Sequence, residues 1–147
     1  ETYTSDNGLV YAMNIKFTTA NTDPNEFAVH SGNITYNGGN KNYGCTGGYV
    51  LYLNQAKDGT TTINGQTTTI PNNEWISVVA VCDFTTHKVN VVAKSLDSSK
   101  TYFDGEVDMA DTDATGMSGL YFKYGKKAYG SISFDNIEIF SADQYTE

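Results

Sequence analysis

Hydrophobic and polar residues alternate along most of the chain. In Leu9–Phe17 every second residue is large and apolar, and most of the residues between are smaller or polar. A period of two is typical of a strand that buries one face. Similar segments predict strands at Glu26–His30, Tyr49–Leu53, Trp75–Phe84, Lys88–Lys94, Lys100–Val107, Gly119–Tyr124 and Ser131–Phe140.

Turn residues separate these segments. Asn64-Gly65 lies between Thr60–Ile63 and Gln66–Ile70, and Asn-Gly between β-branched runs is the strongest short hairpin signal because both residues tolerate positive φ. The sequence predicts about ten short strands, no helix and no linker. It predicts an all-β fold, a two-sheet antiparallel β-sandwich, with residues 1–147 forming a single domain.

Two segments depart from simple alternation. Trp75–Phe84 is apolar on both faces, which predicts a strand in the middle of a sheet with cover on each side. In Ser131–Phe140 the apolar positions shift by one residue after Asp135-Asn136. That shift predicts a β-bulge at these two residues.

Composition narrows the classes of function. Thr, Asn, Gly, Tyr and Ser make up 68 of the 147 residues, and nine lysines without any arginine face 17 acids, for a net charge of −8. Nucleic-acid binders gain affinity from positive charge on phosphates, so this class and anionic-membrane binding are disfavoured. No apolar run reaches the roughly 18–20 residues of a membrane span. The acidic, polar composition is typical of a secreted protein.

The two cysteines leave two alternatives open. Cys45 and Cys82 could form one disulfide, as in a secreted protein, or Cys82, which lies in an apolar run, could be a buried free thiol.

Two stretches resemble a known family. "NNEWISVVAVCDFTTHKVNVVA" (72–93) and "GLYFKYGKKAYGSISFDNIEIF" (119–140) resemble concanavalin A-like and laminin G-like jelly rolls, in which a Trp opens a central strand and the last strand carries Phe-Asp-Asn-Ile. The resemblance implies a secreted, non-catalytic carbohydrate-binding module, excised from a larger protein with linked catalytic or dockerin-type modules. Its ligand would be a plant cell-wall or storage polysaccharide, and it would require no cofactor.

Tyrosines are the first candidate sugar contacts, because aromatic rings offer flat apolar platforms with wet polar tips. Alternation puts Tyr49 with Leu51 and Leu53 on one face of a strand and Tyr52 with Val50 on the other. The faces of Tyr52 and of Tyr121 with Lys123 are therefore predicted platforms. Ordinary strand residues are the alternative for each tyrosine, and Trp75 is interpreted as structural. The candidate carbohydrate-binding residues are Tyr43, Tyr52, Tyr121, Lys123, Tyr124, Lys126, Lys127 and Tyr129.

Three lysines, Lys123, Lys126 and Lys127, form the only basic cluster. It is interpreted as a charged turn that keeps a sheet edge soluble. The alternative is a site for an acidic sugar such as the uronate of pectin, paired with the ammonium groups.

An acid-rich segment runs from Asp104 into a predicted loop at Asp111–Gly119. It is interpreted as a solvated loop, with a structural calcium site formed by Asp108, Asp111 and Asp113 as the alternative, since calcium prefers many oxygen ligands. An EF-hand is excluded because its twelfth position is Phe122.

The same segment carries an enzyme alternative, a glycoside hydrolase or lyase that uses the acidic residues from Glu106 to Asp111. Glu106 to Asp111 is similar to the E-x-D-x-x-E motif of retaining β-glucanases, which would make Glu106 the nucleophile and Asp111 the acid/base. Here the last acid is Asp, with a shorter reach, and the chain is shorter than those enzymes. A laminin G-like adhesion module is the third alternative.

Overall fold

The computed structural model describes residues 8–20, 22–31, 35–36, 45–46, 48–124 and 130–144; for 35–36, 45–46 and 121–124 it describes the backbone only. Twelve strands and one 3-10 turn are present in these residues: β1 (Leu9–Thr19), β2 (Asn25–His30), β3 (Thr35–Tyr36), β4 (Cys45–Thr46), β5 (Tyr49–Gln55), β6 (Thr60–Ile63), β7 (Gln66–Thr69), β8 (Ile76–Asp83), β9 (Lys88–Ser95), β10 (Thr101–Asp108), β11 (Gly119–Tyr124), β12 (Gly130–Ser141) and the turn Ala142–Gln144.

The strands form two five-stranded antiparallel sheets. The front sheet has the order β11-β2-β5-β6-β7, and the back sheet has the order β10-β9-β8-β1-β12. The short strands β3 and β4, which lie between β2 and β5 in the sequence, pair with each other in a separate two-stranded sheet. All ten predicted strands are therefore confirmed, with ends that shift by one or two residues, and so is the two-sheet sandwich.

The core lies between the sheets, where β1, β2, β5, β6, β8 and β9 carry most of the buried side chains and partly buried residues of β10 and β12 pack against them. The alternate apolar residues of β1, from Leu9 to Phe17, are all buried. Phe27 of the front sheet lies between two aromatic rings of the back sheet, with ring centroids 5.9 Å from Tyr11 and 5.5 Å from Phe134. These rings join the two layers.

The strand β8 lies at the centre of the back sheet, as predicted. Its inward residues are buried, but Val79 and Val81 on the opposite face are only half-buried. The predicted cover on both faces is thus incomplete. Trp75, just before β8, is half-buried, and the Lys16 Nζ lies 5.3 Å from the centroid of its ring.

The predicted irregularities occur where the sequence indicates them. Ala12 pairs with Glu138 and Asn14 with Asp135, so β12 carries one extra residue against β1, and Asn136 has a φ of 51°. This is the predicted bulge. In the β6–β7 turn, Asn64 and Gly65 have φ values of 46° and 86°, as a type I′ hairpin requires.

Three side chains join the sheets along the β7–β10 edge, here called the seam. Asn64 Nδ2 donates to Asp108 O at 2.9 Å, Gln66 Nε2 donates to Glu106 O at 3.1 Å, and Thr68 Oγ1 donates to Tyr102 O at 2.5 Å. These bonds run from side chains of β6–β7 to the main chain of β10.

The chain enters and leaves the back sheet at the same point. Leu9, the first residue of β1, pairs with Ser141, the last residue of β12. The Ala142 amide donates to Gly8 O at 3.0 Å just beyond this pair. The two ends of the described sandwich are therefore adjacent.

Cys82 is a free, buried thiol of β8. Of the two alternatives, the free thiol is the one present in the structure. Burial raises the pKa of Cys82 to about 12, so the thiol stays protonated and unreactive at neutral pH. Among the described residues, no helix has the length and apolar character needed to cross a membrane.

Candidate functional site

The side of the front sheet that points away from the core, here called the outer front face, carries a row of polar residues. Opposed residues on neighbouring strands point to the same side of a sheet. The pairing therefore aligns Lys123, Glu26, Asn54, Thr62 and Thr67 across all five strands. At a strand spacing of about 4.8 Å, this row extends about 19 Å.

A second row on the same face carries tyrosine. Tyr121 is paired with Ala28, and Ala28 is paired with Tyr52. Ala28 is fully buried, so its small side chain forms the floor between two tyrosine positions. Asn64 fixes the strand at Tyr52, because its Oδ1 accepts from the Tyr52 amide at 2.6 Å.

An irregularity in β5 adds another tyrosine to this face. The register of β2 and β5 shifts between Val29 and His30, so that Val29 pairs with Leu51 and His30 with Tyr49. Val50 joins Leu51 in the core. The prediction that Tyr49 shares a face with Leu51 is therefore wrong, since the extra residue reverses the alternation at Tyr49.

At this end of the face the Tyr49 ring contacts two other aromatic rings. The ring centroids of Tyr49 and Tyr52 are 5.2 Å apart with an angle of 46° between planes, and those of His30 and Tyr49 are 4.8 Å apart. Both tyrosines are half-buried. The cluster therefore presents partly exposed aromatic surface on a rigid strand.

Glu26 lies beside this aromatic cluster and is bonded to it. Asn54 Nδ2 donates to Glu26 Oε1 at 3.2 Å, and the Tyr52 hydroxyl is also hydrogen-bonded to Glu26. Burial, together with the bond to this carboxylate, raises the pKa of Tyr52 above its ordinary value. The hydroxyl is therefore a proton donor to Glu26 at all physiological pH values.

Ser31, Gly48 and Asp111 hold the chain next to Tyr49. Ser31 Oγ donates to Gly48 O at 3.0 Å and to the Asp111 carboxylate, and the Asp111 amide donates to Tyr49 O at 3.2 Å. A Cβ at position 48 would lie 1.9 Å from the Asp111 Cβ, so only glycine permits this close approach.

His30 is packed under the same segment. Burial lowers the pKa of His30, and a hydrogen bond to the Gly48 backbone opposes this effect. Because the lowering dominates, the imidazole is neutral at pH 7. It therefore supports the Tyr49 ring from below and adds no positive charge to the face.

The predicted carbohydrate-binding residues divide into three groups. Tyr52 lies on the outer front face with its side chain described, and Tyr121 and Lys123 take register positions on that face. Tyr124 pairs with Asn25, which is fully buried. Tyr43, Lys126, Lys127 and Tyr129 lie outside the described residues.

Alternation alone could not have found the remaining residues of this face. Tyr49 was assigned to the wrong face because of the irregularity at Val50. Glu26 begins one predicted strand and Asn54 directly follows another, but only the pairing of β2 with β5 brings them together. Their distance in sequence carries no signal of this pairing.

The three predicted calcium ligands do not come together. Asp108 forms an ion pair with Lys88, Asp111 accepts from Ser31 and from the Asp113 amide at 2.9 Å, and Asp113 is exposed. In the part of the chain that the structure describes, no three metal-ligating side chains form a group.

The two carboxylates of the enzyme alternative lie on different elements. Glu106 is exposed on edge strand β10, opposite Asn90 in the back sheet. Asp111 lies next to Tyr49 of the front sheet and accepts from Ser31.

Comparison with known proteins supports the fold. No family model and no curated protein matches the chain. A solved structure, the heptameric SAP-like pentraxin from Limulus polyphemus, aligns with 95% of this chain at 15% identity and a TM-score of 0.50. The chain covers 66% of the length of that pentraxin chain. The likeness is one of fold and agrees with a jelly-roll β-sandwich.

Proposed function

We propose that this protein is a non-catalytic carbohydrate-binding module that holds a polysaccharide on the outer front face. The observation that carries the proposal is the contact between Tyr49 and Tyr52 beside the polar pair Glu26 and Asn54. Sugar rings have apolar faces and hydroxyl edges, and this arrangement offers aromatic surface next to hydrogen-bonding groups.

The aromatic end of the face supplies the apolar contact. The Tyr49 and Tyr52 rings are tilted at 46° to each other, so two successive sugar rings of a twisted chain could each lie against one of them. Because both rings belong to one strand and contact His30 or Glu26, they need little ordering on binding. Such preorganisation favours affinity.

The polar row supplies contacts along the chain of sugars. Asn54, Thr62 and Thr67 follow Glu26 across the sheet, and their amide and hydroxyl groups both donate and accept hydrogen bonds. The row is about 19 Å long at the usual strand spacing. This length favours several consecutive sugars of a polymer over a single monosaccharide.

The biological role that we propose is targeting. A plant cell-wall or storage polysaccharide would be the ligand, and a linked enzyme or scaffold in a secreted protein would gain effective concentration at its substrate. The resemblance to jelly-roll modules and the acidic, arginine-free composition support this role. Affinity for each module would be modest, because an open sheet face removes little sugar surface from water.

Affinity gel electrophoresis tests the proposal. The purified protein is run through native gels that contain hydroxyethylcellulose, xyloglucan, arabinoxylan or galactomannan. We expect retardation by at least one polymer, and Tyr49→Ala and Tyr52→Ala should each weaken it at least tenfold, which corresponds to a loss of about 1.4 kcal/mol.

Tyr102→Ala is the matched control. Tyr102 is a half-buried tyrosine of β10, in the back sheet, and its hydroxyl donates to Glu74 Oε2 at 2.9 Å. Its replacement should leave retardation unchanged. If no polymer retards the wild-type protein, the proposed function is wrong; if Tyr102→Ala weakens binding as much as Tyr52→Ala, the proposed face is wrong.

A further inference from the structure

Glu26 is the acidic residue of the polar row on the outer front face. It is the only acidic residue in the five strands of the front sheet. It lies in the second strand, between the register position of Lys123 and Asn54. Any polymer that follows the polar row from β11 to β7 would therefore cross this carboxylate.

The Glu26 carboxylate is fixed in place by its neighbours. Asn54 Nδ2 and the Tyr52 hydroxyl both bond to it. A carboxylate has about four lone-pair sites and no proton to donate when ionised. It therefore accepts hydrogen bonds from hydroxyl groups, such as those of a sugar, and has no proton to offer a second carboxylate.

The described strands of the front sheet carry one basic and one acidic residue. Lys123 is the only basic residue in the strands of the front sheet, and its cross-strand partner is Glu26. The whole chain carries a net charge of −8. A polyanion that approaches this face meets no excess of positive charge in the described strands and a repulsive field from the molecule as a whole.

We infer that the outer front face selects neutral glycans and rejects uronate-containing ones, with Glu26 as the residue that determines this selectivity. The inference rests on the proposed function and narrows its ligand class. A neutral sugar donates hydroxyl protons to the fixed carboxylate. A uronate instead places a like charge beside it, and such contacts are strongly unfavourable when partly desolvated.

A pair of polymers with one backbone tests this selectivity. Hydroxyethylcellulose is neutral and carboxymethylcellulose is anionic, and both are derivatives of cellulose. Polygalacturonate is added as a natural uronate polymer. The neutral polymer that retards the protein most is also included. The wild-type protein should bind neutral polymers and show little or no retardation by the anionic ones. Glu26→Gln, which keeps the shape of the side chain, should increase affinity for the anionic polymers about tenfold relative to the neutral ones.

Glu138→Gln is the control for net charge. Glu138 is exposed on the back sheet, opposite Ala12, and its replacement changes the total charge by the same amount. If it raises affinity for anionic polymers as much as Glu26→Gln does, the selectivity belongs to the whole molecule and the inference is wrong.

Salt dependence of the wild-type protein gives a test that needs no variant. Raising ionic strength from about 0.01 M to 0.15 M shortens the screening length from about 30 Å to 8 Å. Repulsion predicts that affinity for carboxymethylcellulose rises with salt. The inference is wrong if the protein binds polygalacturonate strongly, if salt weakens this binding, and if the double variant Lys126→Ala, Lys127→Ala abolishes it. The proposal that the protein binds sugars would then still stand. Failure to bind any polymer would instead refute the proposed function.

Discussion

At the scale of single residues, Asp97 organises the turn between β9 and β10. Its Oδ1 accepts from Ser95 Oγ at 2.7 Å, from the Ser99 amide at 2.9 Å and from Ser99 Oγ at 2.7 Å. These donors favour the ionised form, and they lower the pKa of Asp97 to about 2, with the Ser99 side chain as the largest cause. The turn therefore uses a charged acceptor.

We expect this turn to make the stability of the protein depend on pH. Because the pKa of Asp97 is lower in the folded state than the ordinary value of 3.8, its stabilising effect is present above the ordinary value and is lost as pH falls toward 2. The melting temperature of the wild-type protein should exceed that of Asp97→Asn at about pH 6, and the difference should be much smaller near pH 2.

Ser99→Ala is the companion variant. It removes the hydroxyl donor and leaves the carboxylate. The melting temperature of Ser99→Ala should therefore fall less between about pH 6 and pH 2 than that of the wild-type protein. A difference between wild type and Asp97→Asn that stays constant from about pH 6 to pH 2 would contradict this account.

At this scale, the sequence predicts the correct face of β5 for Tyr52 and the wrong face for Tyr49. The alternation of Leu51, Tyr52 and Leu53 predicts that Tyr52 points outward. The structure agrees, since both leucines are buried. Tyr49 does not follow this alternation, because one extra residue in β5 shifts its phase. A bulge of this kind depends on the partner strand, and β2 is distant in the sequence.

At the scale of elements, the β6–β7 hairpin joins the two sheets through Asn64. Its Nδ2 donates to Val50 O at 2.8 Å and to Asp108 O at 2.9 Å, while Oδ1 accepts from the Tyr52 amide. The residue also has positive φ. One side chain thus serves the turn, the neighbouring strand and the seam.

Two substitutions at Asn64 should separate these roles. Asn64→Gly keeps the backbone conformation and loses three hydrogen bonds, so we expect the free energy of unfolding to fall by about 2–4 kcal/mol. Asn64→Ala should lose about 1 kcal/mol more, because a residue with a Cβ resists positive φ. Urea denaturation monitored by circular dichroism measures both.

Asn73→Gly is the control for the effect of placing glycine at a backbone position with positive φ. Asn73 also has positive φ, at 64°, and its side chain is exposed. This change should alter the free energy of unfolding by less than about 0.5 kcal/mol. Equal losses for Asn64→Gly and Asn73→Gly would show that the Asn64 side chain contributes nothing to the seam.

The hairpin itself was predictable from Asn64-Gly65 between threonine runs, since turn chemistry is local. The seam was not predictable. Its bonds run from Asn64, Gln66 and Thr68 to carbonyl groups of β10, and main-chain acceptors are the same in every residue. Nothing in the side chains of β10 marks them.

At the scale of the whole molecule, the packing of one sheet on the other determines stability. Phe27 is fully buried between Tyr11 and Phe134. Phe27→Ala should lower the free energy of unfolding by about 3–5 kcal/mol, the usual cost of removing a buried phenyl group. Guanidinium denaturation followed by tyrosine and tryptophan fluorescence would measure this loss.

Leu96→Ala is the control for that experiment. Leu96 is 53% exposed in the β9–β10 turn, so truncation there should cost less than about 1 kcal/mol. If the two variants lose the same amount, Phe27 does not join the layers as described.

The sandwich was largely predictable because the strands that form the core bury an apolar face, and the alternation of apolar and polar residues reflects that burial directly. The outer front face was predictable only in part. Tyr52, Tyr121 and Lys123 were identified, but the order β11-β2-β5-β6-β7 that aligns them with Glu26 and Asn54 depends on long-range pairing. Residues between well-predicted strands carry little information about which strands become neighbours.

The adjacent ends of the back sheet have a mechanical consequence. Tension applied through Gly8 and Ala142 would load the Leu9–Ser141 pair first, at one end of the β1–β12 ladder. In this geometry the hydrogen bonds open one after another, as in a zipper, and no group of them shares the load. A pull between a sugar chain on the outer front face and either end would bypass that ladder in part and cross the core. If the module anchors a larger protein, its resistance to force therefore depends on the direction of the pull.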